Sequence, residues 1–143
     1  MPSATIHNRL TNWNRGDDDF EATLGRAAQF LADLYRRYRS LGLEVVALNF
    51  EDEPEQLQNP VRSRAFIKKY GIEYSYLMAG ETGELQEKLP QAENLNSWPT
   101  TFFLGRDGKV RAVHAGFAAP ASGEFYAQAK KEFEERIEKL LAE

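Results

Sequence analysis

The sequence predicts an α/β sandwich whose sheet begins with parallel strands and ends in an antiparallel hairpin. Two patterns predict it. Amphipathic helix patterns alternate with short apolar, β-branched runs, and the last two such runs flank Gly105-Arg106-Asp107-Gly108, a tight-turn sequence. The composition is that of one globular domain, with 143 residues, 42% of them apolar and 28% charged. The chain is read as a single domain over residues 1–143, of which residues 1–19 are atypical in pattern.

Between Phe20 and Leu41, the residues Leu24, Ala27, Ala28, Leu31, Leu34, Tyr35 and Tyr38 recur at helical spacing and put one apolar stripe on one helix face. Asp17, Asp18 and Asp19 precede it and Arg36, Arg37 and Arg39 close it, so acids sit at the positive end of the helix dipole and bases at the negative end. Gly42 stops it. Leu43 to Phe50, LEVVALNF, is almost wholly apolar, as a parallel strand covered on both faces must be. Asn59-Pro60 opens a second helix that runs through Tyr70 and ends at Gly71. Ile72 to Met78 reads as another strand, and Thr82 to Leu89 as a short helix stopped by Pro90. Thr100 to Leu104 and Lys109 to Ala115 form the hairpin. From Ser122, the residues Phe125, Tyr126, Ala129, Phe133, Ile137, Leu140 and Leu141 mark a closing amphipathic helix.

Several functions are excluded by what the chain carries. Eighteen Lys and Arg are interspersed with twenty-two Asp and Glu, a formal charge of −4 that argues against nucleic acid or an anionic membrane as partner. No apolar run approaches the ~20 residues that span a bilayer, and the N-terminus lacks the pattern of a signal peptide, so no export signal is expected and the compartment stays open. There is no cysteine, which removes disulfides, thiolate metal sites and thiol catalysis together. No metal or cofactor is expected. His7 and His114 read as surface or half-buried side chains, and Asp17 to Asp19 as a helix cap without the alternate spacing and glycine of a calcium loop. Glu51, Asp52, Glu53 and Glu55 follow a strand at the end of an α/β sheet where ligands often bind; the run reads as a solvated loop. No Gly-rich phosphate loop, G-x-S-x-G or H-E-x-x-H is present.

Four stretches carry a family resemblance: FLADLYRRYRSLGLEVVALNFED, VRSRAFIKKYGIEY, SWPTTFFLGRDGKVRAVHAGF and the closing helix. From Leu31 to the C-terminus the chain resembles thioredoxin-like proteins of the TlpA and redoxin (AhpC/TSA-like) type. The resemblance implies a thioredoxin-like three-layer sandwich with a mixed sheet. It also implies that Trp98-Pro99-Thr100 is the family's cis-proline segment, which in that family lies beside the redox cysteines and pairs with substrate peptide. A proline ahead of a strand cannot donate to the ladder, and a cis bond there turns the chain and leaves the backbone of residue 98 open to a ligand. Proteins of this type often work outside the cytoplasm.

The chain departs from the family at two places. Aligned without gaps back from Gly42, the family's W-C-x-x-C falls on Phe20-Glu21-Ala22-Thr23-Leu24, so Glu21 and Leu24 occupy the two cysteine positions. Neither side chain can form the mixed disulfide that thiol exchange requires. Upstream, where the family has a buried strand, Ser3 to Asn14 reads SATIHNRLTNWN, a poor central strand. That position lies between LEVVALNF and TTFFL, and leaving it empty would strand backbone groups at about 1–3 kcal/mol each. The expectation is an irregular strand within Ser3 to Asn12, with Ile6 and Leu10 turned to the core. The alternatives are direct closure of the two neighbours or a homodimer in which a second chain supplies the strand by exchange.

Three functions follow. The preferred one is a redox-inactive domain that binds a peptide or protein partner along Trp98, Pro99 and Thr100. The second is a truncated or frame-altered thiol-disulfide oxidoreductase whose intact relatives reduce or exchange disulfides. The third is a structural remnant with no partner.

Overall fold

The computed structural model describes residues 3–8, 18–51, 55, 58, 60–90, 99–116 and 123–143. Its elements in chain order are β1 (Ser3–Asn8), α1 (Asp18–Tyr38) with a 3-10 turn at Arg39–Leu41, β2 (Val46–Glu51), α2 (Val61–Tyr70), β3 (Ser75–Glu81), a 3-10 turn at Thr82–Glu84 running into the single-turn α3 (Leu85–Lys88), β4 (Thr100–Leu104), β5 (Val110–Ala115) and α4 (Glu124–Ala142). The strands form one sheet in the order β3-β2-β1-β4-β5. β1 pairs parallel with β2 and antiparallel with β4; β2 and β3 are parallel, β4 and β5 antiparallel. This is the thioredoxin-like mixed sheet.

The chain's own first residues fill the position between β2 and β4. Thr5 to Asn8 pair with Ala47 to Phe50 and Ser3 to Ile6 with Phe103 to Thr100, without a bulge on either side. The side-chain pattern of SATIHN is weak for a central strand, yet the backbone is regular, because two flanking strands offer hydrogen bonds that no other segment meets. Leu10, expected to face the core, lies outside the described residues.

The helices that carry the core share one face. Tyr76, Ala47, Thr5, Thr101 and His114 form one row across all five strands. At one end of the row Phe66 of α2 meets Tyr76 with ring centroids 6.2 Å apart, and at the other Phe133 of α4 meets His114 at 4.9 Å. Between them α1 buries Leu24, Ala28, Leu31 and Leu34, its Phe30 5.9 Å from Phe133. α1 and α4 run in the same direction: Arg37 pairs with Glu134 at 3.3 Å, and the Tyr38 hydroxyl donates to Glu138 at 2.8 Å.

Local chemistry sets the boundaries. α2 ends where Gly71 adopts φ +64, a left-handed conformation that costs glycine nothing, while the N–H groups of Gly71 and Ile72 both close on Ile67 O. Arg36 then donates to Gly71 O at 2.6 Å and to Glu73 at 2.9 Å, tying the end of α1 to this turn. Ile72 and Tyr74, read from sequence as strand, are buried in the connection that precedes β3. Their apolarity reports core contact rather than extended pairing. Phe125 is a second difference: it is 71% exposed. It lies about 80° around the helix from Phe133, at the edge of the stripe formed by Ala129, Phe133, Ile137 and Leu140, and in a first turn that overhangs the core.

Tyr74 gives a pH prediction. Its hydroxyl donates to Ala28 O at 3.3 Å inside the core, and burial pushes the phenol well above its ordinary value. A folded pKa raised above the unfolded one contributes stability that is present below the unfolded pKa and lost as pH rises past it. Stability is therefore expected to fall above pH ~10, by about 1.4 kcal/mol per pH unit for this tyrosine. Urea unfolding at a series of alkaline pH values checks it, with a shallower slope expected for Tyr74→Phe.

Candidate functional site

The sheet opens at one end. The ladder between β1 and β4 stops at Ile6–Thr100, whereas β1 continues along β2 through His7 and Asn8. The next residue of the β4 strand line is Pro99, which has no N–H to donate. Pro99 is buried and its carbonyl accepts from Gly116 N–H at 2.7 Å, so it is held from the β5 side. Among the described residues the β1–β4 pairing therefore ends between His7 and Asn8 on one side and Pro99 on the other, with Gly116 beyond. Thr100 is buried, and Trp98 lies outside the described residues, as does the Trp98-Pro99 bond.

α1 starts from the same end of the sheet, because β1 leads into it. Glu21 is the fourth residue of α1 and Leu24 lies one turn further along. Leu24 is 1% exposed and belongs to the main core cluster. Leu24, expected from sequence at the family's second cysteine position, is thus an aliphatic packing residue.

The acidic run after β2 divides. Glu55 is exposed but helical where a solvated loop is expected, and Glu51 is 2% exposed and ends β2. Its carboxylate accepts from Asn49 Nδ2 at 2.8 Å. Asn49, itself fully buried, also approaches Met78 Sδ at 3.5 Å, and Ser63 of α2 donates to that sulfur at 3.3 Å. The first turn of α2 therefore covers a buried polar group at the carboxyl end of the parallel strands. One signal could have found it: an Asn and a Glu at alternate positions of an otherwise apolar strand share one face. Asp52 and Glu53 lie outside the described residues. Among the described residues no three His, Asp or Glu side chains are grouped to hold a metal ion, and no helix is long and apolar enough to cross a membrane.

The profile of the AhpC/TSA family matches residues 19–113, more than half of the chain. The chain belongs to the AhpC/TSA family. The match starts at the beginning of α1 and runs into β5, so it takes in Glu21, Leu24 and Pro99. Among AhpC/TSA-related proteins, the thiol-disulfide oxidoreductase ResA of Bacillus subtilis is 26% identical over 87 residues, which cover 61% of this chain and 42% of ResA. The chain therefore matches less than half the length of that relative. Two solved structures share the fold. One is a putative thiol:disulfide interchange protein DsbE from Chlorobium tepidum, with TM-score 0.65, 19% identity, and coverage of 97% of this chain and 78% of the other. The second is a thioredoxin family thiol:disulfide interchange protein from Chlorobium tepidum TLS, with TM-score 0.62, 17% identity, and coverage of 98% and 80%. This AhpC/TSA chain shares their architecture without a cysteine.

Proposed function

We propose that this AhpC/TSA domain is a redox-inactive binding module that takes an extended peptide or protein segment at the Pro99–Thr100 edge. One observation carries the reading: Leu24, which the sequence reading puts at the family's second thiol position, is a buried core leucine, while among the described residues β1 runs on past the end of its pairing with β4 beside Pro99. Thiol exchange needs a thiolate nucleophile and a resolving thiol, and these 143 residues contain neither. Peptide capture needs only backbone groups to pair with, and among the described residues β1 continues beyond the point where its pairing with β4 ends. Trp98, Pro99 and Thr100 are the residues assigned to the contact.

Two assays test the two halves. Insulin reduction by dithiothreitol is expected to proceed at the blank rate in the presence of the protein, and acceleration above the blank would overturn the redox-inactive half. Calorimetric titration with a long, unstructured, cysteine-free peptide is expected to give saturable binding. Absence of heat with a set of such peptides at millimolar concentration would overturn the binding half.

A further inference from the structure

The polar group under α2 has a sulfur at its centre. Met78 sits on β3, at the edge of the sheet, directly opposite Asn49 in the register between β2 and β3. Two donors converge on its Sδ, the Ser63 hydroxyl of α2 at 3.3 Å and Asn49 Nδ2 at 3.5 Å. Asn49 Nδ2 directs its other hydrogen to the Glu51 carboxylate at 2.8 Å. Asn49 is 0% and Ser63 5% exposed, so neither donor can turn to bulk water, and among the described residues the sulfur is the acceptor that the Ser63 hydroxyl meets. A thioether is a weak acceptor. Two buried donors are therefore aimed at an atom that satisfies neither of them fully, and a leucine of similar volume would satisfy neither at all.

One added atom resolves the mismatch. A sulfoxide oxygen is a far better acceptor than a thioether and can take both hydrogen bonds. Met78 is half-buried on an edge strand, so part of the residue stays in contact with solvent. Its unbranched side chain can turn a sulfur lone pair outward to a small oxidant and then return the oxygen to the donors. We infer that Met78 is a site of oxidation by hydroperoxides and that Ser63 and Asn49 hold the resulting sulfoxide. The sulfur lone pair attacks the terminal peroxide oxygen, and the O–O bond breaks as the S–O bond forms. The second oxygen leaves as water or an alcohol, taking the proton from the first. Sulfur loses two electrons and the peroxide gains them, so one peroxide is consumed per Met78. The step needs no cysteine, and the chain has none. Oxidation of a packed methionine ordinarily disrupts a core, because an apolar side chain becomes polar. Here the donors that receive the oxygen are already in place. Nothing in this step involves the Pro99 edge.

Hydrogen peroxide is the probe, with N-acetylmethionine in the same solution as a fully exposed reference. Mass mapping of proteolytic fragments is expected to show Met78 sulfoxide in the folded protein, formed at a rate within about tenfold of the reference. An unmodified Met78 once the reference is fully oxidised overturns the site. Urea unfolding then tests the cradle. The oxidised wild type is expected to unfold at a higher urea concentration than the reduced protein, and the shift is expected to reverse sign in Ser63→Ala. Met78→Leu, which keeps Met1, is expected to show no shift after the same treatment and so controls for oxidation elsewhere. A lower midpoint for the oxidised wild type, or a shift indifferent to Ser63→Ala, overturns the assignment of the donors. A readout that needs no variant is the side-chain amide of Asn49 in the isotopically labelled protein. Its proton resonance is expected to move downfield on oxidation as the acceptor strengthens, and an unmoved amide overturns its part in holding the oxygen.

Discussion

Phe133→Ala is expected to destabilise the fold by about 3–5 kcal/mol, the range for removing a large aromatic side chain from a packed core. Phe133 is 1% exposed and joins three elements, lying 5.9 Å from Phe30 on α1, 5.1 Å from Phe103 on β4 and 4.9 Å from His114 on β5. Truncation leaves a cavity bounded by a helix and two strands of a sheet, which cannot collapse into it together. Phe125→Ala serves as the internal control. The two phenylalanines sit on the same helix, but Phe125 is 71% exposed and its loss is expected to stay within about 0.5 kcal/mol. Urea denaturation of both variants measures the contrast, and equal losses would mean that α4 does not dock through Phe133.

The second large effect is a gain. Glu21→Cys combined with Leu24→Cys places two thiols one turn apart on α1, with Cα atoms about 5 Å apart by helix geometry, inside the usual disulfide range of roughly 4.4–6.8 Å. The helix begins at Asp18, so the first thiol sits at the fourth helical residue, where the dipole still lowers a thiol pKa. Replacing buried Leu24 costs less than the roughly 2–5 kcal/mol of a Leu→Ala change, because sulfur refills part of the space. The double variant is expected to form an intramolecular disulfide on oxidation and to catalyse insulin reduction, whereas each single variant does not. Failure to close the disulfide, read by mass after alkylation, would show that these are not the family's cysteine positions.

Sequence and structure agree where local pattern and tertiary demand coincide. Thr100 to Leu104 is read correctly to the residue, because a proline before it and a turn after it bound the strand. The stripe from Leu24 to Tyr38 packs as its spacing requires. The disagreements share a cause: side-chain polarity does not by itself report backbone state. Ile72 and Tyr74 are apolar because they plug the core from a connection, whereas SATIHN is polar yet extended because both its neighbours need partners. Glu51 reads as part of a solvated run, but its alternation with Ala47 and Asn49 puts it on the helix-covered face of β2. The site is legible only in part. Pro99 and the positions expected for the cysteines are visible in the sequence, whereas the end of the pairing beside Pro99 is made by β1 and β4, which lie far apart in the chain, and no local pattern encodes it.

The sheet end beside Pro99 is proposed to bind an extended chain without redox chemistry. Backbone amide shifts of the isotopically labelled protein, titrated with carboxymethylated insulin B chain whose thiols are blocked, test it most directly. Saturable shifts are expected, concentrated at His7, Asn8, Thr100 and Gly116, which among the described residues border the end of the β1–β4 pairing. Shifts spread over the surface, or confined to positions remote from those four, would contradict it.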